Sequence, residues 1–321
     1  MSEKTGLTRR RFLQTSLGGA VAAFSTGVLA RPTLGGRGVR IGAITYSFRA
    51  LPSSAEQLLG YLVELGLDTV ELRGEPVEAF AGGPKPPPWP RRSRAQMSEQ
   101  ERAALRETRR KHQEEARSWR LSTSMEPYRR LRRMYNDAGV DIDILKLGDP
   151  SWSDEEIDYA FNVARILGAR GISLEISDEA GKRMGPFATK HQLIVGMHNH
   201  TQVGERGFSF DKPLSYSPFN MMNLDIGHYV AGTSESPIPV IQKYHDRISH
   251  LHLKDRKRGI NGGDNVMWGK GDTPIGEVLR LLKKEKYPIT AMIELEYPVP
   301  EGSSVMEEMK RCVEYCREAL S

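Results

Sequence analysis

The chain has 321 residues, 38% of them hydrophobic and 27% charged, enough to bury the core of one large barrel or of two ordinary domains. Its formal charge of +5 does not mark a nucleic-acid binder, because a net +3 lies in residues 1–30 and a net +8 in residues 91–133, leaving the remainder acidic. The basic stretch is interleaved with Glu99, Glu101, Glu107, Glu114 and Glu115 at helical spacings, the pattern of a solvated charged helix.

In chain order, the first feature is Thr8-Arg9-Arg10-Arg11-Phe12-Leu13-Gln14, followed by a weakly apolar stretch that ends Val28-Leu29-Ala30. It resembles a twin-arginine (Tat) export signal, which implies cleavage after Ala30 and delivery of a folded protein by the Tat machinery to the periplasm or the exterior. The stretch is broken by Gly18, Gly19 and Gly27 and falls short of the roughly 20 apolar residues a membrane span takes. No later segment is apolar enough to span, so the mature chain, residues 31–321, is expected to carry no membrane span.

Beyond it, apolar runs rich in β-branched residues alternate with amphipathic helical patterns, the mark of a parallel sheet wrapped by helices. Strands are predicted at Arg40–Ser47, Asp68–Arg73, Ile142–Leu147, Gly171–Ile176, Leu193–His198, Met221–Ile226, Ile248–Leu253 and Thr290–Leu295. Helices are predicted at Ala55–Leu65, Ser98–Ala116, Pro127–Ala138, Ser153–Leu167, Ile238–Tyr244, Ile275–Glu285 and Val305–Leu320, with Ser153 and Glu156 placed to form a capping box. Eight such strands in one chain predict an α/β fold, a (β/α)8 TIM barrel. Glu75–Arg94, with its Gly82-to-Pro90 run, is expected to be irregular and to lie on the catalytic face, as a lid, a dimer contact in a homodimer, or a tolerated surface insertion. With the charged helix it makes an insertion at about residues 75–120. Cys312 and Cys316, four apart in the last helix, are badly placed to form a disulfide.

Polar residues able to bind metal gather at the ends of the later strands, where a barrel builds its active site. These are His198-Asn199-His200, Asp225-Ile226-Gly227-His228, His250-Leu251-His252-Leu253-Lys254-Asp255 and Glu294-Leu295-Glu296; six of the eight histidines fall between His198 and His252. Side chains alternate along a strand, so His250 and His252 share a face, as do Glu294 and Glu296. Any one of them has a bland reading, Asp225 as a turn cap for instance, but together they offer an oxygen and nitrogen set suited to Mn, Co, Zn, Fe or Mg. Arg256, Lys257 and Arg258 read as a solvated basic run.

These pieces, with the Gly269-Lys270-Gly271-Asp272 loop and the stretch from Tyr287 through Glu294, resemble the xylose isomerase-like sugar phosphate isomerase/epimerase superfamily over roughly residues 39–320. The resemblance implies a divalent metal held by one group from each of strands five to eight. Asp225, His252 and Glu294 fall on ligand positions, and His198 stands where many members have Glu. Epimerases of the superfamily flank their substrate with two carboxylates, so this chain is expected to lack one, unless Glu175 on the fourth strand supplies it as ligand or base. The implied chemistry is proton abstraction next to a carbonyl of a carbohydrate, through an enediolate. Glu296 or Glu175 would move the proton, Lys254 and His200 would hold substrate oxygens, and His228 would stand beside Asp225. Epimerisation, isomerisation and elimination by a lyase or hydratase of keto-sugars or 3-keto-glycosides all start this way. The loss of one flanking base favours one-sided chemistry. The alternative is a secreted carbohydrate-binding protein that has lost its chemistry on the same barrel.

Overall fold

The protein, as a computed structural model, is described over residues 38–87 and 96–321; the expected export signal and part of the Pro-rich run lie outside the described residues. Eight strands, β1 (Ile41–Ile44), β2 (Thr69–Arg73), β3 (Asp141–Lys146), β4 (Gly171–Glu175), β5 (Ile194–His198), β6 (Asn220–Asp225), β7 (Ile248–Leu253) and β8 (Thr290–Ile293), pair in parallel in chain order, and β8 closes on β1. Each predicted strand is present. They read as continuous apolar runs because the helices cover their outer face and the barrel interior covers the other; all six residues of β7 are buried. Two ends differ from the sequence reading. The first strand gives way at Thr45 to a 3-10 turn, and β8 stops at Ile293, so that Glu294 and Glu296 stand on the loop beyond it.

The helices form where the caps are. α1 (Ala55–Leu65) starts on a Ser54–Gln57 capping box and ends at Gly66, which takes the left-handed conformation (φ 70°). α2 (Gly74–Phe80) corrects the expectation that Glu75–Arg94 is irregular throughout: its front part is helical, and only beyond Phe80 does the chain lose regular structure. α3 (Glu99–Ser122) runs further than the predicted Ala116. Its last turns explain why. Arg120 lies buried between Glu78 (2.7 and 3.0 Å) and Glu156 (3.1 Å), with its guanidinium 3.9 Å from the Trp152 ring centroid. The charged helix is therefore solvated along most of its length but moored at its C-terminal end.

α4 (Glu126–Asp137) and α5 (Asp154–Leu167) follow, the latter on the expected Ser153–Glu156 capping box. α6 (Asp178–His191) is absent from the sequence prediction because Gly181, Gly185 and Pro186 mask its periodicity. Gly181 is there for contact: a Cβ would come within 2.6 Å of the Pro213 carbonyl oxygen, in α7 (Asp211–Ser215). α8 (Ile226–Thr233) springs directly from β6, α9 (Ile238–Tyr244) precedes β7, and α10 (Ile275–Glu285) and α11 (Val305–Leu320) complete the outer layer. In α10, Ile275, Val278, Leu279 and Leu282 are buried at helical spacing, and each such side chain contributes about 1.5–3 kcal/mol on leaving water. Cys312 and Cys316 are buried free thiols on α11. Among the described residues no helix is long and apolar enough to cross a membrane.

Candidate functional site

The strand ends bring the predicted residues into one chamber of about 240 Å3 at the C-terminal mouth of the barrel, lined by Glu175, His198, His200, His228, His252, Lys254, Glu294 and Glu296. Asp225 lies directly behind, fully buried. One donor atom from each of His198, Asp225, His252 and Glu294 falls within 4.8 Å of the others.

Local structure fixes each group. Asp225 ends β6 and caps α8 at once: Oδ1 accepts the His228 backbone N–H (2.7 Å), leaving Oδ2 to face the chamber. One oxygen thus caps the turn, and the other is left available as a donor on the chamber side. Asn199 holds the Asp225 backbone on both sides, its Oδ1 accepting the N–H (3.0 Å) and its Nδ2 donating to the carbonyl (3.2 Å). Asp255 secures the loop that follows β7, its carboxylate accepting N–H groups of Gly269 (2.8 Å), Gly271 (2.9 Å) and Thr273 (3.2 Å). At Gly271 a Cβ would lie 1.9 Å from the Asp255 carboxylate, so only glycine lets that loop close.

The two central imidazoles are each held from behind by a carboxylate. His198 Nδ1 is 3.0 Å from Glu175 Oε2, and because a carboxylate only accepts, Nδ1 carries the proton. In the neutral ring the Nε2 lone pair then faces Asp225 Oδ2 at 3.3 Å. His252 repeats the arrangement: Nε2 donates to Glu71 Oε2, and Nδ1 faces Glu294 Oε2 at 3.1 Å without hydrogen-bond geometry for either atom. Asn223, 3.1 Å from the same Nε2, agrees with this tautomer when its otherwise unpartnered Oδ1 faces the ring. The same two oxygens, Asp225 Oδ2 and Glu294 Oε2, each lie 2.9 Å from the Lys254 ammonium, which supplies positive charge between them. Burial would lower the His252 pKa, but Glu71 and Glu294 outweigh it and push it up to about 10. Without a metal the ring therefore holds a second proton on Nδ1, toward Glu294, and a metal ion bound there would displace it.

Charge accounting points the same way. Among the described residues, the carboxylates of Glu71, Glu175, Asp225, Glu294 and Glu296 form ion pairs with only Lys146 and Lys254 as permanent cations. Lys254 Nζ is 2.9 Å from both Asp225 Oδ2 and Glu294 Oε2 and donates to Glu296. Burial, which alone would raise both carboxyls, is outweighed by Lys254 and the neighbouring rings, which hold Asp225 well below its ordinary range and Glu294 at about 2. The donor set, with one atom from each of four residues within 4.8 Å of the others, and the carboxylates behind the two rings fit a divalent metal. Among the described residues His198, Asp225, His252 and Glu294 form the one group of four able to hold it, beside two overlapping groups of three, Glu71–His250–His252 and Glu175–His198–His200.

Around them, Arg256 donates to His228 Nδ1, so the proton of the neutral His228 ring sits on Nε2, 3.2 Å from His200 Nδ1. Burial lowers the His228 pKa to about 3, keeping it neutral, whereas the hydrogen bond from half-exposed His200 to Glu175 (2.8 Å) raises that of His200. Arg256 also donates to the Gly263 carbonyl, which corrects the reading of it as part of a solvated basic run. The carboxylate expected to be missing beside His198 is present: Glu175 stands behind the ring, its other oxygen 2.9 Å from Lys146 Nζ.

Glu71 was not foreseen. It is fully buried on β2, accepts from Ser173 Oγ, and contacts His250 (3.2 Å) as well as His252. Its signal in the sequence is a lone acid inside the apolar run Thr69-Val70-Glu71-Leu72, a placement that costs several kcal/mol unless paired. Lys146, Tyr46 and Arg73, on the chamber wall, were likewise unmarked.

Residues 177–318 match the xylose isomerase-like TIM barrel family. An inosose dehydratase from Clostridium botulinum (strain Eklund 17B / Type B) is 26% identical over 157 residues, 43% of this chain, and the chain spans only about half, 52%, of that relative's length. Among solved structures, a sugar phosphate isomerase/epimerase from Parabacteroides distasonis superposes with a TM-score of 0.55 at 18% identity, covering 90% of this chain and 96% of that one. The probable 3-DHS dehydratase AsbF, involved in petrobactin synthesis, from Bacillus anthracis gives 0.57 at 14%, covering 86% and 98%. At these identities the structures establish the fold, a xylose isomerase-like (β/α)8 barrel.

Proposed function

Starting from a xylose isomerase-like barrel, we propose that the protein is a divalent-metal-dependent enzyme that removes the proton next to a carbonyl of a polyhydroxylated ring and expels a β-hydroxyl, a dehydratase of keto-sugar-like substrates. The observation that carries this is the convergence of His198, Asp225, His252 and Glu294, one donor atom from each within 4.8 Å of the others, beside the Lys254–Glu296 pair. A divalent ion held by His198, Asp225, His252 and Glu294 would polarise the substrate carbonyl and make the neighbouring C–H more acidic. The names of the relatives, an inosose dehydratase and a probable 3-DHS dehydratase, favour elimination.

The proton moves on one face. Glu296 takes it from the α carbon, the C–H electrons become the new C=C bond, and the C–O bond at the β carbon breaks. The same carboxyl then gives its proton to the departing hydroxyl, which leaves as water, so the enzyme ends unchanged. Lys254 Nζ, already bonded to Glu296, donates to the carbonyl oxygen as it gains charge. His200 and Glu175 hold hydroxyls on the opposite wall. Glu175 is a poor base, because Lys146, His198 and His200 occupy its oxygens and, against burial, hold its carboxyl far below the usual range.

A second reading, isomerisation or epimerisation, is favoured by one feature: Glu175 and Glu296 come from opposite walls, after β4 and β8, as two flanking bases would. Incubating the Mn2+-loaded full chain with keto-inositols, keto-sugars and 3-keto-glycosides in deuterated water separates the two. Loss of water with an enone chromophore is expected, abolished by Glu296→Gln and only slowed by Glu175→Gln. Deuterium incorporation with inversion and no enone would establish the second reading, and no exchange at any carbon would overturn both. The twin-arginine stretch supports action outside the cytoplasm.

A further inference from the structure

Beside the chamber, on the β1–β2 side of the mouth, lies a second and larger cleft of about 800 Å3. Tyr46 and Arg73 line both, so the two spaces share a wall. A single polyol ring already fills a chamber of about 240 Å3, and a volume of the cleft's size falls within the range that holds a drug-sized ligand. Its far wall is the insertion: His112 on α3 and Pro86 and Pro87 on the loop after α2.

The lining has two characters. Pro86 and Pro87 offer flat apolar surface of the kind that receives the C–H face of a ring. Above Tyr46 stand two guanidinium groups, Arg49 at 4.6 Å and Arg73 at 5.2 Å from the ring centroid. Arg73 is neutralised by Glu75. Arg49 is not: it donates Nη1 to the carbonyl oxygens of Leu295 (2.6 Å) and Tyr46 (3.3 Å), and among the described residues no carboxylate pairs with it. Two backbone carbonyls thus aim a guanidinium whose remaining N–H groups and whole charge are uncommitted. This is the reverse of the chamber, where carboxylates outnumber cations.

Resting on the reading of the chamber given above, we propose that the cleft is a second subsite and that the substrate is a two-unit molecule. The reacting ring sits in the chamber, and a second, ring-sized unit bearing a carboxylate or phosphate packs against Pro86 and Pro87 with its anion on Arg49. Arg49 recognises that anion; the apolar wall recognises the ring that carries it. The insertion that follows β2, otherwise a long excursion in a barrel of short loops, supplies the far side of this subsite.

Calorimetry on the full chain tests this with glucose, cellobiose and cellobiouronic acid, the last a glucuronosyl-glucose, as probes against wild type and Arg49→Gln. The acidic disaccharide should bind about tenfold more tightly than cellobiose, and Arg49→Gln should remove that advantage while leaving glucose unchanged. Failure of the acid to bind more tightly than cellobiose, or an equal loss for glucose in Arg49→Gln, overturns the subsite. Glucuronate and glucose-6-phosphate in competition separate carboxylate from phosphate recognition. The readout is independent of turnover: discrimination without deuterium exchange would sink the proposed reaction and keep the subsite, and exchange on monosaccharides without discrimination would do the opposite.

Discussion

Replacing Glu71 by Gln probes the site at a residue that would touch neither metal nor substrate. Glu71 accepts from Ser173, His250 and His252, and its charge, against the cost of burial, is held by the two imidazoles, which keep its carboxyl well below the ordinary range. Gln has the same shape but no charge, and in one of its two orientations it turns an NH2 toward His252 Nε2. That ring must then carry its proton on Nδ1, the atom that faces Glu294, and its ligand lone pair is lost from the centre. Outer-shell changes of this kind weaken metal binding about 10- to 100-fold, or about 1.4–2.8 kcal/mol. Titrating Mn2+ into chelator-treated full chain, wild type against Glu71→Gln, measures this directly, with circular dichroism confirming that the variant folds. Ser173→Ala, which removes only the contact to the other oxygen of Glu71, should change affinity by less than about threefold. An unchanged Mn2+ affinity in folded Glu71→Gln would show that Glu71 does not set the His252 tautomer.

Asp225 has two separable duties: Asp225→Asn should lose metal yet keep the α8 cap, while Asp225→Ala loses both and about 1 kcal/mol more stability; equal urea midpoints for the two variants would contradict this. Arg120→Ala leaves Glu78 and Glu156 without their shared cation and should cost about 3 kcal/mol, with α3 becoming the first site of limited proteolysis; an unchanged midpoint and cleavage pattern would show that the helix is moored elsewhere. Changing Arg9 and Arg10 to Lys should keep the protein in the cytoplasm, seen by fractionation, and undiminished export would remove the twin-arginine reading.

The barrel was legible because its strands are buried on both faces and so stand out as apolar β-branched runs between capped helices, as at Ile248–Leu253 and Ser153–Leu167. α6 was not, because Gly181 and Gly185 answer to close contacts with the segment from Pro213 to Ser217 rather than to helical periodicity, and Pro186 reads as a helix breaker. The nine residues named for the site converge because strand ends do, and the His and Asp motifs mark those ends. What spacing alone does not convey is which atom of each ring is free. The assignment of His198 and His252 depends on Glu175 and Glu71 behind them, the first in register on the neighbouring strand β4 and the second across the barrel on β2, pairings that spacing along the chain does not give. The same limit hid the guanidinium of Arg49, which is aimed by a carbonyl 246 residues away in sequence.

The direct measurement is the metal itself. Elemental analysis of the full chain, purified without chelator and then incubated with Mn2+, Co2+ or Zn2+ and desalted, should find about one divalent ion per molecule, and close to none in Asp225→Asn and His252→Ala. A folded wild-type chain that retains no divalent ion, or variants that retain as much as wild type, would contradict the assignment of His198, Asp225, His252 and Glu294 as its holders.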